Sequence, residues 1–116
     1  MNITRMLTLL LLSVCFAVLP INAEAVTFTV NSTVDAVDAV PGDESCAMVG
    51  GECSLRAAIQ EANALVGPDI IKLKTGLHML TIVGASENDC ATGDLDITED
   101  LTIIGRGLKN TFINGG

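Results

Sequence analysis

Several acidic residues near the carboxyl-terminal end of the chain are close enough in sequence to bind a cation together: Asp94, Asp96, Glu99 and Asp100. Alternate residues of a β-strand point to the same side. A strand here would therefore direct Asp94 and Asp96 towards one hard cation such as Ca²⁺, which prefers oxygen ligands. The alternative is a solvated turn between two strands, in which the carboxylates bind nothing. The four residues are a candidate calcium site, and the solvated turn stays open.

Other residue types that support catalysis are scattered along the chain. Carboxylates are plentiful, but a glycosidase needs two of them about 5–9 Å apart across a sugar bond, and no spacing marks such a pair. The single histidine, His78, lies between Leu77 and Met79 in a β-prone run, so strand alternation predicts that it faces solvent. No nucleophile and orienting acid accompany it as in a catalytic triad. The sequence therefore defines no active site, and an enzymatic role is not the expectation.

Three of the four cysteines lie after residue 25: Cys46, Cys53 and Cys90. Cys46 and Cys53 flank a flexible segment, and a bond between them would close a short loop worth roughly 2–3 kcal/mol in the chain-entropy model. Zinc is the alternative, but three thiols and the distant His78 lack the paired spacing of zinc ligands. We predict a Cys46–Cys53 disulfide, which leaves Cys90 as a free thiol or as the partner in an intermolecular bond.

The first 25 residues have the organisation of an export signal. Arg5 and the α-amine supply positive charge, an apolar run covers 6–19, and Pro20 precedes the small-x-small sequence Ala23-Glu24-Ala25. A membrane-spanning helix needs about 20 apolar residues, more than this run contains. We predict a signal peptide over residues 1–25, cleaved after Ala25, with no membrane span remaining. The expected location is secreted, extracellular or at the cell surface, where disulfides persist.

The composition of residues 26–116 narrows the classes of partner. This part of the chain has 13 acidic and 5 basic residues, a net charge of −8. Nucleic acids and anionic membranes both select for Lys and Arg, so neither is an expected partner. Trp and Tyr are absent from the sequence, which leaves few rings to stack on sugars. A chain of this length forms one small domain whose core needs staples.

The elements that would position these residues are short. The alternation of Val26–Val30 predicts a strand, and an acidic loop follows over residues 31–51. Ser54 is a good N-cap for a helix that stops at Gly67-Pro68. The apolar stripe of that helix repeats at three and four and consists of Leu55, Ala58, Ile59, Ala62 and Leu65. After the helix come five β-prone runs separated by tight turns: Ile70–Leu73, Leu77–Ile82, Leu95–Ile97, Leu101–Ile104 and Thr111–Ile113.

Strands this short, without helices between them, fit a sandwich, a barrel or a β-solenoid. Inward Ile and Leu at regular spacing, with Gly and Asn at the corners, favour the solenoid. A solenoid coil buries its apolar face against neighbouring coils, so about three or more are needed for stability, and this chain supplies about one and a half. We therefore expect a truncated chain whose missing partner is a set of downstream β-helix coils.

The stretch that begins at Cys53 and continues Ser-Leu-Arg-Ala-Ala-Ile-Gln-Glu-Ala to Asn63 resembles the CSLREA domain. That module is named for its Cys-Ser-Leu-Arg-Glu-Ala motif and is found just after the signal peptide of many large bacterial surface or secreted proteins. The likeness extends over nearly all of residues 26–116, from Phe28–Thr33 to Gly93–Thr98 and Leu101–Gly105. It implies the N-terminal cap and opening coils of a right-handed parallel β-helix of the pectin-lyase type, and it does not carry a known catalytic function.

One residue of the motif departs from the family. Ala57 stands where the family has glutamate, and Ser54-x-x-Glu would form a capping box that satisfies two amides at the helix start. With Ala57 only the Ser54 half remains, at a cost of about 0.5–1 kcal/mol, which implies a structural role for the family's glutamate. Arg56 is expected to anchor the acidic loop, and Glu61 to be solvated.

These observations predict a mostly β chain in which residues 26–116 form a cap of strand, loop and one short α-helix, followed by the first coils of a right-handed parallel β-helix. The expected function is that of a non-enzymatic capping module, structural or adhesive, in an exported bacterial protein. An extracellular polysaccharide or a host surface is the expected external partner, and no cofactor is expected besides the candidate calcium. The alternative is the N-terminal part of a polysaccharide lyase or hydrolase of the same fold.

Overall fold

The computed structural model describes residues 17–18 and 23–116. The predicted signal peptide therefore lies almost entirely outside the described residues. Within them, no helix is long and apolar enough to cross a membrane. This described part of the chain is mostly β with one short helix, as predicted. Its elements are β1 (Thr27–Thr29), α1 (Leu55–Ala64), β2 (Asp69–Lys72), β3 (Gly76–Met79), β4 (Leu101–Ile104) and β5 (Thr111–Asn114).

The described strands form two small sheets in which every pairing is parallel. β1, β2 and β4 lie side by side in that order, with Thr27 opposite Ile70 and Ile70 opposite Thr102. In the second sheet β3 pairs with β5, and His78 lies opposite Ile113. Parallel neighbours require a connection that returns to the same end of the sheet. As a result, segment 69–79 lies alongside segment 101–114 in both sheets.

Helix α1 forms where its sequence predicts. The Ser54 hydroxyl accepts a hydrogen bond from the Ala57 amide at 3.0 Å, which is the remaining half of the capping box. The helix ends at Ala64, and Gly67 follows with a φ of 131° that favours glycine. The apolar stripe packs against β1 and β2 to make the core, which includes Phe28, Val30, Leu55, Ala58, Ile59, Ala62, Ile71 and Leu73. Burying each large apolar side chain contributes about 1.5–3 kcal/mol.

The strand predicted over Leu77–Ile82 is shorter in the structure. β3 ends at Met79, and the amides of Thr81 and Ile82 donate to Asp35 Oδ2 at 2.6 and 2.9 Å instead of to a neighbouring strand. The Leu80 amide still donates to the Asn114 carbonyl at 2.8 Å, and the pairing stops there because a carboxylate from the acidic loop takes the two donors that follow. β propensity describes a preference for a pleated surface, and it cannot anticipate this competition.

The strand predicted over Leu95–Ile97 is absent. Leu95 packs against the core, as an inward residue should, but the carbonyls beside it are bound by side chains of α1. Arg56 Nη1 donates to the Asp94 carbonyl at 3.2 Å, and Asn63 Nδ2 donates to the Asp96 carbonyl at 2.7 Å. These bonds replace the strand ladder, and the segment runs as irregular chain.

The prediction that His78 faces solvent is wrong. Its side chain is 2% exposed, whereas Leu77 and Met79 are 47% and 41% exposed, so the alternation is present but inverted. His78 Nε2 lies 2.9 Å from the Lys74 carbonyl oxygen. The ring borders a cavity of about 10 Å³ that is also lined by Asp35 and Arg56. The acidic loop and the helix cover this side of β3, and that covering decides which residues are buried.

Candidate functional site

The polar side chains of the helix motif form one connected set, which we call the helix network: Ser54, Arg56, Gln60, Glu61 and Asn63. The first four are buried and Asn63 is half-buried. On one side of α1 they bind the acidic loop (residues 31–51), and on the other they bind the second loop (residues 80–100). Because backbone groups that leave water need hydrogen-bond partners, the helix network supplies what these two irregular segments lack.

Arg56 is the centre of the helix network, and its side chain is fully buried. Nε lies 2.7 Å from Asp35 Oδ1 and Nη2 lies 3.2 Å from Asp35 Oδ2, so the pairing is two-pronged. Nη2 also donates to the Gly93 carbonyl at 2.7 Å, and Nη1 to the Cys90 carbonyl at 3.2 Å. The prediction that Arg56 anchors the acidic loop is confirmed. The contacts to the second loop were missed, and no signal in the sequence pointed to them.

The electrostatics of this pair favour the ionised state. Burial opposes the charge on Asp35, but the hydrogen bond from Arg56, the amides of Ile82 and Thr81 and the Arg56 charge together hold its pKa below the usual range. Burial likewise opposes the charge on Arg56, and the hydrogen bond and charge of Asp35 raise the Arg56 pKa. Both residues are therefore charged at neutral pH. Removing one partner of a buried ion pair lowers the unfolding free energy by about 3–5 kcal/mol, because the other charge loses its counter-charge.

Two side-chain amides extend the network along α1. Gln60 Oε1 accepts from the Asp38 amide of the acidic loop at 2.8 Å, and Gln60 Nε2 donates to the Asp89 carbonyl of the second loop at 3.4 Å. Asn63 Oδ1 accepts from the Thr98 amide at 3.0 Å while its Nδ2 binds the Asp96 carbonyl. An amide carries both an acceptor and donors, so Gln60 connects the two loops and Asn63 fastens two points of the second.

The expectation that Glu61 is solvated is wrong. Its side chain is fully buried, and Oε1 and Oε2 accept from the Gly42 and Glu44 amides at 2.8 and 2.9 Å. Gly42 and Glu44 both have positive φ, 93° and 67°, and the carboxylate holds this tight bend to the helix. Burial raises the pKa of Glu61, as do the nearby charges of Asp38 and Asp43, and the two amides oppose the rise.

Asp38, Asp43 and Glu61 form an acidic triad whose carboxylate oxygens lie within 4.8 Å of one another. Three carboxylates at this separation suit a hard cation. The two buried members already have partners, however. Asp38 Oδ1 and Oδ2 accept from the Val40 and Ala47 amides at 2.8 and 2.7 Å, and both oxygens of Glu61 are bound as described above. The triad therefore fixes the bend of the acidic loop.

The four predicted calcium ligands are not gathered in the same way. Among residues 17–18 and 23–116, the acidic triad is the one group of at least three such ligands with that spacing. The side chains of Asp94, Glu99 and Asp100 are exposed, and Asp96 is half-buried. The segment that carries them is not a strand, so alternation does not align Asp94 with Asp96. Their placement resembles the solvated-turn alternative, and calcium binding there stays a prediction.

The predicted Cys46–Cys53 disulfide is present, with the two Cα atoms 5.1 Å apart. It fastens the end of the acidic loop to the residue that precedes the N-cap, and so reinforces the same junction as the helix network. Cys90 forms no disulfide within the described chain and is completely buried. Burial raises the pKa of the Cys90 thiol to about 11, so it stays protonated at neutral pH and is a poor nucleophile.

The side of the molecule formed by β4 and β5 exposes apolar side chains instead of burying polar ones. β4 and β5 each pair with one strand only among the described residues, and we call this side the open end. It exposes large apolar side chains by 37–51%, namely Ile103, Ile104, Phe112 and Ile113. A cleft of about 590 Å³ beside Ile103, Leu108 and Ile113 adds to this surface. Contiguous exposed apolar surface of this kind marks an interaction site.

Comparisons of the chain with protein-family models, with curated proteins and with solved structures found no match. Two features of the chain itself bear on its function. One is the helix network, whose polar groups bind main chain, and the other is the open end, whose strands and apolar side chains lack cover.

Proposed function

We propose that residues 26–116 form the cap and the first coils of a right-handed parallel β-helix in an exported bacterial surface or secreted protein. The parallel pairing of segment 69–79 with segment 101–114 across two sheets supports this architecture, since stacked coils pair in this way. The Cys46–Cys53 disulfide is compatible with export. The role is structural, and it consists of starting the solenoid and closing its amino-terminal end.

The observation that carries the proposal is the use to which the helix motif is put. A catalytic acid or base needs a proton or a lone pair within reach of a substrate. The buried polar groups of Ser54, Arg56 and Glu61 instead bind the acidic loop or the second loop. These polar side chains thus hold irregular backbone in place by hydrogen bonds, which is the role of a cap.

The open end supports the other half of the proposal. A free strand edge is a template for further pairing, and a solenoid coil needs a neighbour to cover its apolar face. Further coils of the same kind would pair with β4 and β5 and cover Ile103 and Ile113. These coils are the proposed partner. Contacts with an extracellular polysaccharide or a host surface would be made by them.

No contact among the described residues favours the enzymatic alternative. A lyase or hydrolase of this fold would have to carry its clustered carboxylates and its basic residue in later coils, because Asp94, Asp96, Glu99 and Asp100 are not gathered here. The enzymatic alternative therefore predicts clustered carboxylates and a basic residue in those later coils, whereas the capping proposal does not require them.

The test is to sequence the coding DNA beyond codon 116 and to express the longest open frame. We expect further β-prone runs with Gly and Asn at the corners, and a longer product that melts as a monomer at a higher temperature than residues 26–116 alone. A stop codon directly after Gly116, together with a sharp, concentration-independent melt of the short monomer, would contradict the capping role. Clustered aspartates with a basic residue in the new coils would favour the lyase.

A further inference from the structure

Asp69, the first residue of β2, is a buried carboxylate that lacks part of its hydrogen bonding. Its side chain is 1% exposed. Oδ1 accepts from the Val26 amide at 2.9 Å, whereas Oδ2 is buried and has no hydrogen-bond partner among the described residues. The salt bridge found in that part of the chain joins Arg56 to Asp35, so no cation there neutralises Asp69. A buried carboxylate with a single neutral donor is an unfavourable arrangement.

The donor to Asp69 directly follows three exposed residues. Ala23, Glu24 and Ala25 are exposed. Val26 is half-buried and packs against the core, and its carbonyl accepts from the Ile70 amide at 2.8 Å. The backbone of Val26 is thus held in the sheet, while the residues before it are accessible to a peptidase.

We propose that cleavage of the Ala25–Val26 bond completes the Asp69 site, and that the new α-ammonium group of Val26 forms a buried ion pair with the Asp69 carboxylate. This inference rests on the export signal of the proposed function. Hydrolysis by a signal peptidase consumes one water, leaves a carboxylate on Ala25 and leaves an amine on Val26. That amine is protonated at neutral pH, since the ordinary pKa of an α-amine is about 7.7–8.0.

The geometry suits the ion pair without movement of the backbone. The bond from Ile70 and the packing of the Val26 side chain hold the nitrogen 2.9 Å from Oδ1. An amide has one hydrogen to donate, whereas an ammonium has three, so a second hydrogen becomes available to Oδ2. Hydrogen bonds between charged groups are roughly twice as strong as neutral ones. Cleavage therefore tightens the junction of β1 and β2, and the mature chain is more stable than the chain that keeps its leader.

The experiment combines two changes in the full chain, exported through its own signal. In the first, one glycine is inserted between Ala25 and Val26, which keeps Ala23-Glu24-Ala25 for the peptidase but moves the ammonium one residue away and leaves an amide at Val26. In the second, Asp69→Asn removes the charge of the acceptor. The four exported products are identified by mass spectrometry and melted at one protein concentration. Coupling between two changes isolates their interaction.

We expect the glycine insertion to lower Tm by about 5 °C when Asp69 is present and by less than about 2 °C in the Asp69→Asn protein. Equal shifts in both backgrounds would overturn the inference. If the exported protein without the insertion does not begin at Val26, the inference is also overturned, because the ammonium would then lie elsewhere. The capping proposal would survive that result, since it depends on the downstream coils.

A second measurement serves if Asp69→Asn does not fold. Only the neutral amine reacts with an acetylating reagent, so an ion pair that raises the α-amine pKa by one unit slows the reaction about tenfold. We expect the α-amine of the unchanged exported protein to be acetylated about tenfold more slowly than that of the glycine-inserted protein, with lysine acetylation as the internal reference. Equal rates would contradict the ion pair.

Discussion

The two ends of this molecule differ in what they bury: the capped end, formed by α1, the acidic loop and the second loop, buries polar side chains, whereas the open end exposes apolar ones. At the capped end a salt bridge, a carboxylate and two amides lie among apolar side chains, and each binds main chain of the loops beside it. At the open end, apolar side chains such as Ile103 and Ile113 are 37% and 48% exposed. At the capped end the buried polar side chains of α1 are bound within the chain, and at the open end apolar side chains are exposed.

This difference separates two sources of order in a small protein. Irregular loops cannot pair their own amides and carbonyls, so a few buried side chains must do it for them. A strand satisfies its backbone by pairing with a neighbouring strand. Its apolar side chains must still be covered by another part of the structure. Substitutions at the capped end should therefore change folding stability, and substitutions at the open end should change association.

The largest effect is expected from Arg56→Ala. It would leave the Asp35 carboxylate without its charge partner, with the Thr81 and Ile82 amides as its remaining donors, and would remove the donor to three carbonyls of the second loop. We expect a loss of about 3–5 kcal/mol in unfolding free energy, measured by chemical denaturation. The matched control is Arg106→Ala, an exposed arginine in the turn after β4, which should change stability by less than about 0.5 kcal/mol. Similar losses in both variants would remove the distinction between the two ends.

The second effect concerns the disulfide of the capped end. Reduction of Cys46–Cys53 should cost about 2–3 kcal/mol, because it frees a short loop in the unfolded chain. The measurement is denaturation with and without a thiol reductant. The double variant Cys46→Ser/Cys53→Ser is the control and should not respond to reductant. If it responds as the unchanged protein does, the stabilising bond is not this one.

A smaller effect should appear in acid, and it has two opposite parts. The pKa of Asp35 is lowered from 3.8 in the folded chain, so the stability it provides is complete above pH 3.8 and is lost as the pH falls through the lower folded value. The pKa of Glu61 is raised from 4.5, so its protonation on acidification adds stability before Asp35 titrates. Denaturation as a function of pH measures both.

Matched variants separate the two titrations. Asp35→Asn should abolish the loss of stability below about pH 4, and Glu61→Gln should abolish the gain above it. Glu61→Gln should also lower the unfolding free energy at neutral pH. The side-chain NH2 group of glutamine would face one of the two backbone N–H groups that now donate to the carboxylate, so one hydrogen bond would be lost. A loss in acid that persists in Asp35→Asn would mean that another carboxylate controls it.

The smallest change in folding stability, but a clear change in association, is expected at the open end. Ile113→Lys should alter unfolding free energy by less than about 0.5 kcal/mol, because the side chain is already exposed. We expect residues 26–116 alone to self-associate through the open end, and this variant should weaken that association, which sedimentation velocity measures over a range of concentrations. Val49→Lys makes the same change at a 93% exposed position of the acidic loop and should behave as the unchanged chain. Equal effects of both variants would argue against self-association through the open end.

Local patterns predicted much of the fold. The N-cap at Ser54, the apolar stripe of α1 and the runs that became β1, β2, β4 and β5 all depend on neighbours within four residues, and the structure has each of them. The Cys46–Cys53 bond was also predictable, because a flexible segment of six residues separates the two thiols. Such features are set by propensity and short-range spacing.

Errors arose where a distant segment decides the environment. His78 lies on a strand as predicted, but the acidic loop covers its side of the strand and turns a predicted surface residue into a buried one. Glu61 lies on the polar face of α1, and the bend at Gly42 and Glu44 takes both of its oxygens. The strand predicted at Leu95–Ile97 lost its ladder to Arg56 and Asn63, more than thirty residues earlier in the chain.

What the sequence by itself determined is local structure: a capped amphipathic helix, short strands and a short-loop disulfide. Tertiary structure decided that His78 and Glu61 are buried and what they bind, and it added the contacts of Arg56 with the second loop. The physical reason is that burial and hydrogen-bond partners belong to pairs of segments far apart in sequence, whereas propensity and periodicity belong to single segments. The clearest instance is the hydrogen bond from the Val26 nitrogen to Asp69 Oδ1, which is 2.9 Å long and joins residues 43 apart in sequence.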